Sequence, residues 1–177
     1  FGKNLETGAQ GFVDAGLGKR VAYGTIGILA PTITIEKSTQ NLTLDGVEFV
    51  FHNTPGAEAP AELTFSIPAL KAYGGAELLA QTMHNFLPVR GAKVRDVLQW
   101  SSYMQNALDQ LGDAEVYFGQ HNWPIWGQPQ IREFITKHRD VYKYLHDQTI
   151  RLANSGATPK EIADQIAREI VSVQPMD

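Results

Sequence analysis

Cysteine is absent from this chain of 177 residues. Disulfides, thiolate metal sites and cysteine nucleophiles are thereby excluded, and any metal must be held by His, Asp or Glu. The absence fits an oxidising compartment without requiring one. No apolar run reaches the length of about 20 residues needed to span a bilayer. An excess of positive charge is missing too. Lys and Arg total 15 against 19 Asp and Glu, a formal net charge of −4, so no basic field exists to hold nucleic acid. No Walker loop, G-x-S-x-G elbow or dinucleotide fingerprint occurs. The first residues, Phe1-Gly2-Lys3-Asn4-Leu5, include neither an initiator Met nor a signal-peptide pattern. The expectation is a start inside a longer protein, although a processed mature end would look similar.

What is present reads as a folded α+β chain, 43% hydrophobic and 19% charged. Residues 1 to 31 are glycine-rich and lack a helical period, which suggests extended loop leading into a strand at Ile33-Thr34-Ile35. Leu42-Thr43-Leu44, Asp45-Gly46 and Val47 to Phe51 spell a hairpin, because Asp-Gly suits a turn with two positive φ angles. Strands are also expected at Leu63 to Ile67 and Ala114 to Phe118. The spacing predicts helices over 75–86, 92–111 and 129–154, the second stopping at Gly112. A last helix opens on a capping box, with Thr158 as cap, Pro159 in the first turn and Glu161 reaching back. Strands crowd the first two-thirds and helices the remainder, so the one boundary expected separates 1–125 from 126–177. The second part is too small to hold its own core and must pack on the first, on residues outside the chain or on another copy.

Several residues could carry chemistry. Glu58 and Glu62 lie in a Pro- and Gly-rich loop after a strand, a common place for catalytic groups, although two solvated glutamates would look the same. Glu77, Gln81, His84 and Asn85 would share one face of the helix expected at 75–86, lining a site or merely facing water. Arg90, between two helices, could bind an oxyanion through its planar fork or serve as a surface charge paired with Asp96. Arg95 and Asp96 read as structural ion-pair formers. His121, just past a strand, stands where metal ligands are often found, but a packed histidine fits as well. Trp123 and Trp126 read most simply as core or domain-seam packing, with an apolar substrate wall as the sharper option. His138 and His146 share a helix face about 12 Å apart, too far to hold one ion, and read as structural with Asp140 and Asp147. His52 reads as a packed or capping residue at its strand end.

Taken in order, a set of strings resembles the linear alkylsulfatases, the dodecyl sulfate hydrolases of the metallo-β-lactamase superfamily. The strings are Asp14 to Gly18, Thr54 to Glu62, His84-Asn85, Arg90-Gly91-Ala92, Arg95-Asp96, His121 with Trp123-Pro124 and Trp126-Gly127, and His146 to Thr149. The resemblance runs through nearly the whole chain. It implies the second half of an αββα sandwich, followed by the start of a helical dimerisation region. It implies further that Glu58 is one ligand of a two-zinc centre, Glu77 the carboxylate bridging both ions, and His121 the last ligand. Asn85 and Arg90 match positions that bind the sulfate, and His84 matches a proton donor to the departing sulfate. An alkyl sulfate substrate, a homodimer and a periplasmic or secreted location are implied by the same resemblance.

Two departures qualify it. Where the family commonly has a second histidine before Trp-Pro, this chain has Asn122, and a one-residue shift would weaken the site. The family's H-x-H-x-D-H motif is nowhere among the five histidines. In the family that motif comes earlier, and a domain resembling sterol-carrier proteins follows. The expectation is therefore a half site, inactive without the missing half. Two rival readings are a hydrolase of the same fold with another specificity, and a non-catalytic module that binds amphiphiles or associates through its helices.

Overall fold

The structure, a computed structural model, describes residues 24, 25, 27–88 and 93–173. The chain divides into two units, Phe1–Thr34 and Ile35–Asp177. The described residues of the first unit form no regular helix or strand. The strand expected at Ile33-Thr34-Ile35 is not formed, since residues 32 and 33 bend and the first strand starts at Thr39. Three alternating residues beside Pro31 carry too little pattern to fix an extended segment.

In the second unit six strands form one sheet in chain order: β1 (Thr39–Leu44), β2 (Val47–Asn53), β3 (Leu63–Ile67), β4 (Ala72–Gly74), β5 (Val116–Phe118) and β6 (Ile125–Trp126). The β1–β2 turn has the expected geometry, with φ of 49° at Asp45 and 80° at Gly46. Neighbours pair antiparallel except β4 and β5, which run parallel with Gly74 opposite Phe118. Between those two strands the chain must cross over, and it does so through helix α1 (Val97–Gln110). Parallel pairing has a consequence for function. The chain leaves both strands at the same end of the sheet, placing the segments after Gly74 and after Phe118 side by side.

Strand alternation sorts the aromatics onto two faces. His52, Thr64, Tyr73 and Tyr117 occupy one face, where Tyr73 stacks between His52 at 6.4 Å and Tyr117 at 6.3 Å. Against this face pack α1 and the long helix α2 (Gln128–Asn154). Tyr73, Trp100, Met104, Ile131, Ile135 and Tyr142 are at most 1% exposed and belong to one core, which continues across residue 125. The helical segment thus packs on the first part of the chain. On the other face Phe49, Phe51, Phe65 and Phe118 form a half-buried row with ring spacings of 5.7 to 5.9 Å. Gly74 lies beneath that row, and a Cβ there would meet the Phe65 ring at 2.6 Å.

Helix α3 (Pro159–Val173) starts on the expected capping box. Glu161 accepts from the Thr158 N–H at 2.8 Å, and the Glu161 N–H reaches Thr158 Oγ1 at 3.4 Å. Its Ile162 and Ile166 close a smaller cluster with Leu152. Helix α1 is shorter at its start than the 92–111 expected. Asp96 caps it, accepting from the Gln99 N–H at 2.9 Å, and Val94, which precedes the helix, is 70% exposed.

The helix expected over 75–86 does not form. Strand β4 ends at Gly74, Ala76 takes a φ of +48°, and irregular turns follow. Side chains capture carbonyls that a helix would have used. The Trp100 indole donates to the Leu78 carbonyl at 2.7 Å and the Tyr117 hydroxyl to that of Leu79. Leu78 and Leu79, each 1% exposed, are buried as single anchors and not as a helical stripe.

Candidate functional site

Glu77 and His121 stand 44 residues apart in sequence, yet Glu77 Oε1 lies 2.5 Å from His121 Nε2. Each sits on the segment leaving one of the two parallel strands, and the segments are laced together. The Gln81 N–H donates to Asn122 Oδ1 at 2.9 Å, and Gln81 Nε2 donates to the Trp123 carbonyl at 2.6 Å. Asn122 has a φ of +70°, a left-handed conformation that Asn tolerates well. Of the two neighbours, His121 is the residue that meets Glu77, while Asn122 is occupied with the backbone of Gln81. His84 joins from the same loop, its ring centroid 6.3 Å from that of His121 and 5.8 Å from Trp100. Its N–H is anchored on the Tyr142 hydroxyl at 3.1 Å. Burial lowers the His84 pKa, Glu77 counteracts this, and His121 adds to it.

Glu58 stands apart from this contact. Its carboxylate forms a buried ion pair with Arg95, whose Nε also donates to the Glu58 carbonyl at 2.7 Å. The same guanidinium reaches Asn85, through Nη1 to the carbonyl at 2.6 Å and to Oδ1 at 2.7 Å. Arg95 therefore joins Glu58 and Asn85, the residues for which the resemblance implies metal and sulfate roles. The expectation of an Arg95 ion pair is met with Glu58 as its partner, while Asp96 serves as the cap of α1. Glu58, Glu62 and Glu77 all line one cavity of about 410 Å³ with Phe65, Phe118 and Gln120. Glu62 is pushed up to about 7, first by burial, against the backbone N–H groups that it accepts and with the charge of Glu77 adding.

Arg90 lies outside the described residues, as do Gly91, Ala92 and the Asp14 to Gly18 string. Trp123 and Trp126 are not core: they are 85% and 68% exposed. Trp123 precedes β6 and Trp126 is the second of its two residues, and so short a strand offers them no buried face. His52 is packed as expected, 6% exposed with Nδ1 3.3 Å from Thr39 Oγ1. His138 contacts the Phe134 carbonyl at 3.0 Å through Nδ1, and His146 pairs with Asp147 at 3.0 Å. Sequence reasoning missed the tie from Tyr142 to His84 and did not separate Glu62 from Glu58. Only long-range packing shows the first, and only the loop's hydrogen bonds show the second.

Oxygen and nitrogen donors of this kind suit zinc. Among the described residues no three His, Asp or Glu side chains converge as a ready-made cluster. Glu77 and His121 already meet, however, and His84 Nε2 is a buried polar atom without a hydrogen-bond partner. Arg95 engages Glu58 through Oε1, and a carboxylate held by a guanidinium on one oxygen can accept on the other. The residues fit part of a metal centre.

In class the chain is a piece of an α+β protein with a carboxylate–imidazole site at the ends of two parallel strands. Its relatives are more particular. An alkyl/aryl-sulfatase of Saccharomyces cerevisiae is 42% identical over 167 residues, which cover 94% of this chain and 26% of the yeast protein. A linear primary-alkylsulfatase of a Pseudomonas species is 41% identical over 167 residues, covering 94% of this chain and 25% of that protein. A solved structure, the stereoselective inverting sec-alkylsulfatase of a Pseudomonas species, matches with a TM-score of 0.80 at 38% identity, covering 90% of this chain and 26% of that one. The chain spans about a quarter of the length of these relatives. No protein-family model matches it. The resemblance to alkylsulfatases read in the sequence holds: they are homologues of this chain.

Proposed function

We propose that this chain is part of a zinc-dependent alkylsulfatase and supplies one side of its reaction centre. The observation that carries the reading is the Glu77–His121 contact, formed across the parallel strands in a chain whose homologues are alkylsulfatases. Glu58, Glu77 and His121 would hold a pair of zinc ions together with ligands from elsewhere in the protein. Bound zinc would polarise a water for attack on the ester and offset negative charge.

The chain's own residues do the rest. Asn85, fixed on Arg95 through both its oxygens, presents its amide N–H₂ towards the sulfate, and Arg90 pairs with the sulfate oxygens. His84, anchored by Tyr142, delivers a proton to the departing sulfate. Trp123, exposed two residues beyond His121, offers apolar surface for an alkyl tail. The products are an alcohol and inorganic sulfate. The reading carries with it the second half of a metallo-β-lactamase-like sandwich over 1–125, a helical segment over 126–177 leading into a dimer interface, and a periplasmic or secreted location. The location follows from the resemblance to alkylsulfatases, and the lack of cysteine fits it.

The test is made on the full-length protein. Zinc analysis and release of sulfate from dodecyl sulfate are measured for the wild type, E77Q and H121A. About two zinc per chain with sulfate release, both reduced in the variants, is the expected result. Full activity in E77Q refutes the reading, and a zinc-free wild type with no turnover favours an amphiphile-binding module.

A further inference from the structure

Glu58 and Glu77 sit on separate loops, and one carboxylate joins them. Glu62 Oε2 accepts from the Glu58 N–H at 2.7 Å and from the Ala59 N–H at 3.3 Å. Its other oxygen, Oε1, accepts from the Glu77 N–H at 2.9 Å. The loop carrying Glu58 is closed at its base, because the Thr54 N–H donates to the Glu62 carbonyl at 2.9 Å. One end of this carboxylate thus grips the 54–62 loop and the other grips the segment after β4. We propose that Glu62 is a positioning residue, whose bridging carboxylate sets the spacing between Glu58 and Glu77 and so the geometry that the two offer to a metal pair. The proposal rests on the reading of those two residues as ligands.

The chemistry requires a carboxylate in particular. In its ionised form both oxygens accept and neither donates, so it can satisfy N–H groups on two sides at once. Charge-assisted bonds of this kind hold backbone more firmly than neutral ones. Glutamine has the same shape but one acceptor oxygen. Its amide N–H₂ must face either the Glu58 N–H or the Glu77 N–H, donor against donor, and one loop is released. Metal ligands need placement to within about half an ångström, and loss of a group that orients them commonly weakens metal binding 10–100-fold.

The test compares zinc affinity in the full-length wild type and E62Q by competition with a chelator, alongside the melting temperature of the zinc-free proteins. E62Q is expected to bind zinc roughly 10–100-fold more weakly while the zinc-free protein melts within a few degrees of wild type. Equal zinc affinity in E62Q and wild type overturns the proposal and leaves Glu58 and Glu77 standing as ligands. Should E62Q fail to fold, E62D decides the matter, since a carboxylate one methylene shorter reaches only one loop. Weakened zinc binding in E62D supports the role, and wild-type affinity overturns it. A wild-type protein that takes up no zinc brings down this proposal together with the reading beneath it.

Discussion

Replacing Arg95 with methionine isolates the electrostatics that hold the Glu58 loop. The side chains of Arg95 and Glu58 are 8% and 15% exposed, so the pair is shielded from water and weakly screened by salt. R95M keeps much of the aliphatic stem and removes every guanidinium bond. It strands the Glu58 carboxylate and leaves two Asn85 acceptors without this donor. Breaking one side of a buried ion pair costs about 3–5 kcal/mol, mainly because the remaining charge stays desolvated. The double variant R95M/E58Q removes that stranded charge and should recover about 1–3 kcal/mol of the loss. Urea unfolding followed by tryptophan fluorescence is the assay. Trp123 and Trp126 are already 85% and 68% exposed, whereas Trp100 is wholly buried, with the guanidinium carbon 5.8 Å from its ring centroid. The change in signal therefore reports on Trp100, beside the substituted residue. A loss below about 1 kcal/mol in R95M, or no recovery in the double variant, refutes the view that a desolvated charge dominates here.

Three further outcomes follow from the packing. G75A would drive a Cβ into the Tyr117 ring and hydroxyl, so a loss of about 1–3 kcal/mol is expected, read as a lower thermal midpoint. T158A removes the reciprocal cap of α3 and should cost about 1 kcal/mol, seen as faster amide exchange in that helix while α1 is unchanged. Burial lowers the His52 pKa in the folded chain, so the unfolded chain takes up a proton first as the pH falls below about 6.5. That contribution to stability is present above pH 6.5 and is lost below it, towards the depressed folded value. In thermal melts from pH 7 to 5, H52F should show a flatter profile than wild type, and an unchanged profile rules out His52 as a source of the slope.

Regular elements with strong local signals were legible in the sequence. Asp45-Gly46 marks a turn because few other pairs accept two positive φ angles, and Thr158 with Glu161 marks a helix start because the bonds are local. The segment from Gly75 to Phe86 was misread because its leucine spacing satisfies a helix as readily as two separate anchors. What decides against the helix is a pair of donors from Trp100 and Tyr117, at least 22 residues away, and no local pattern encodes them. Trp123 and Trp126 misled for the opposite reason. Large aromatic rings suggest burial, but a two-residue strand that holds Trp126 and follows Trp123 gives neither a face to pack on. The identities of Glu58, Glu77 and His121 as a group came from resemblance, not spacing. Loops bring Glu77 to His121 and attach Glu58 through Arg95 and Glu62, and such connections are invisible to periodicity.

The parallel pairing of β4 against β5 also bears on how the chain folds. Hairpins among β1, β2 and β3 can close early, because their partners are near in sequence and little loop entropy is lost. The β4–β5 register must wait until the intervening crossover, α1 included, has collapsed to bring distant strands together. Contact between Glu77 and His121 should thus be a late event, and pulse-labelled amides of β1 and β2 should gain protection before those of β5. A chain halted partway would carry its hairpins intact without the Glu77–His121 contact.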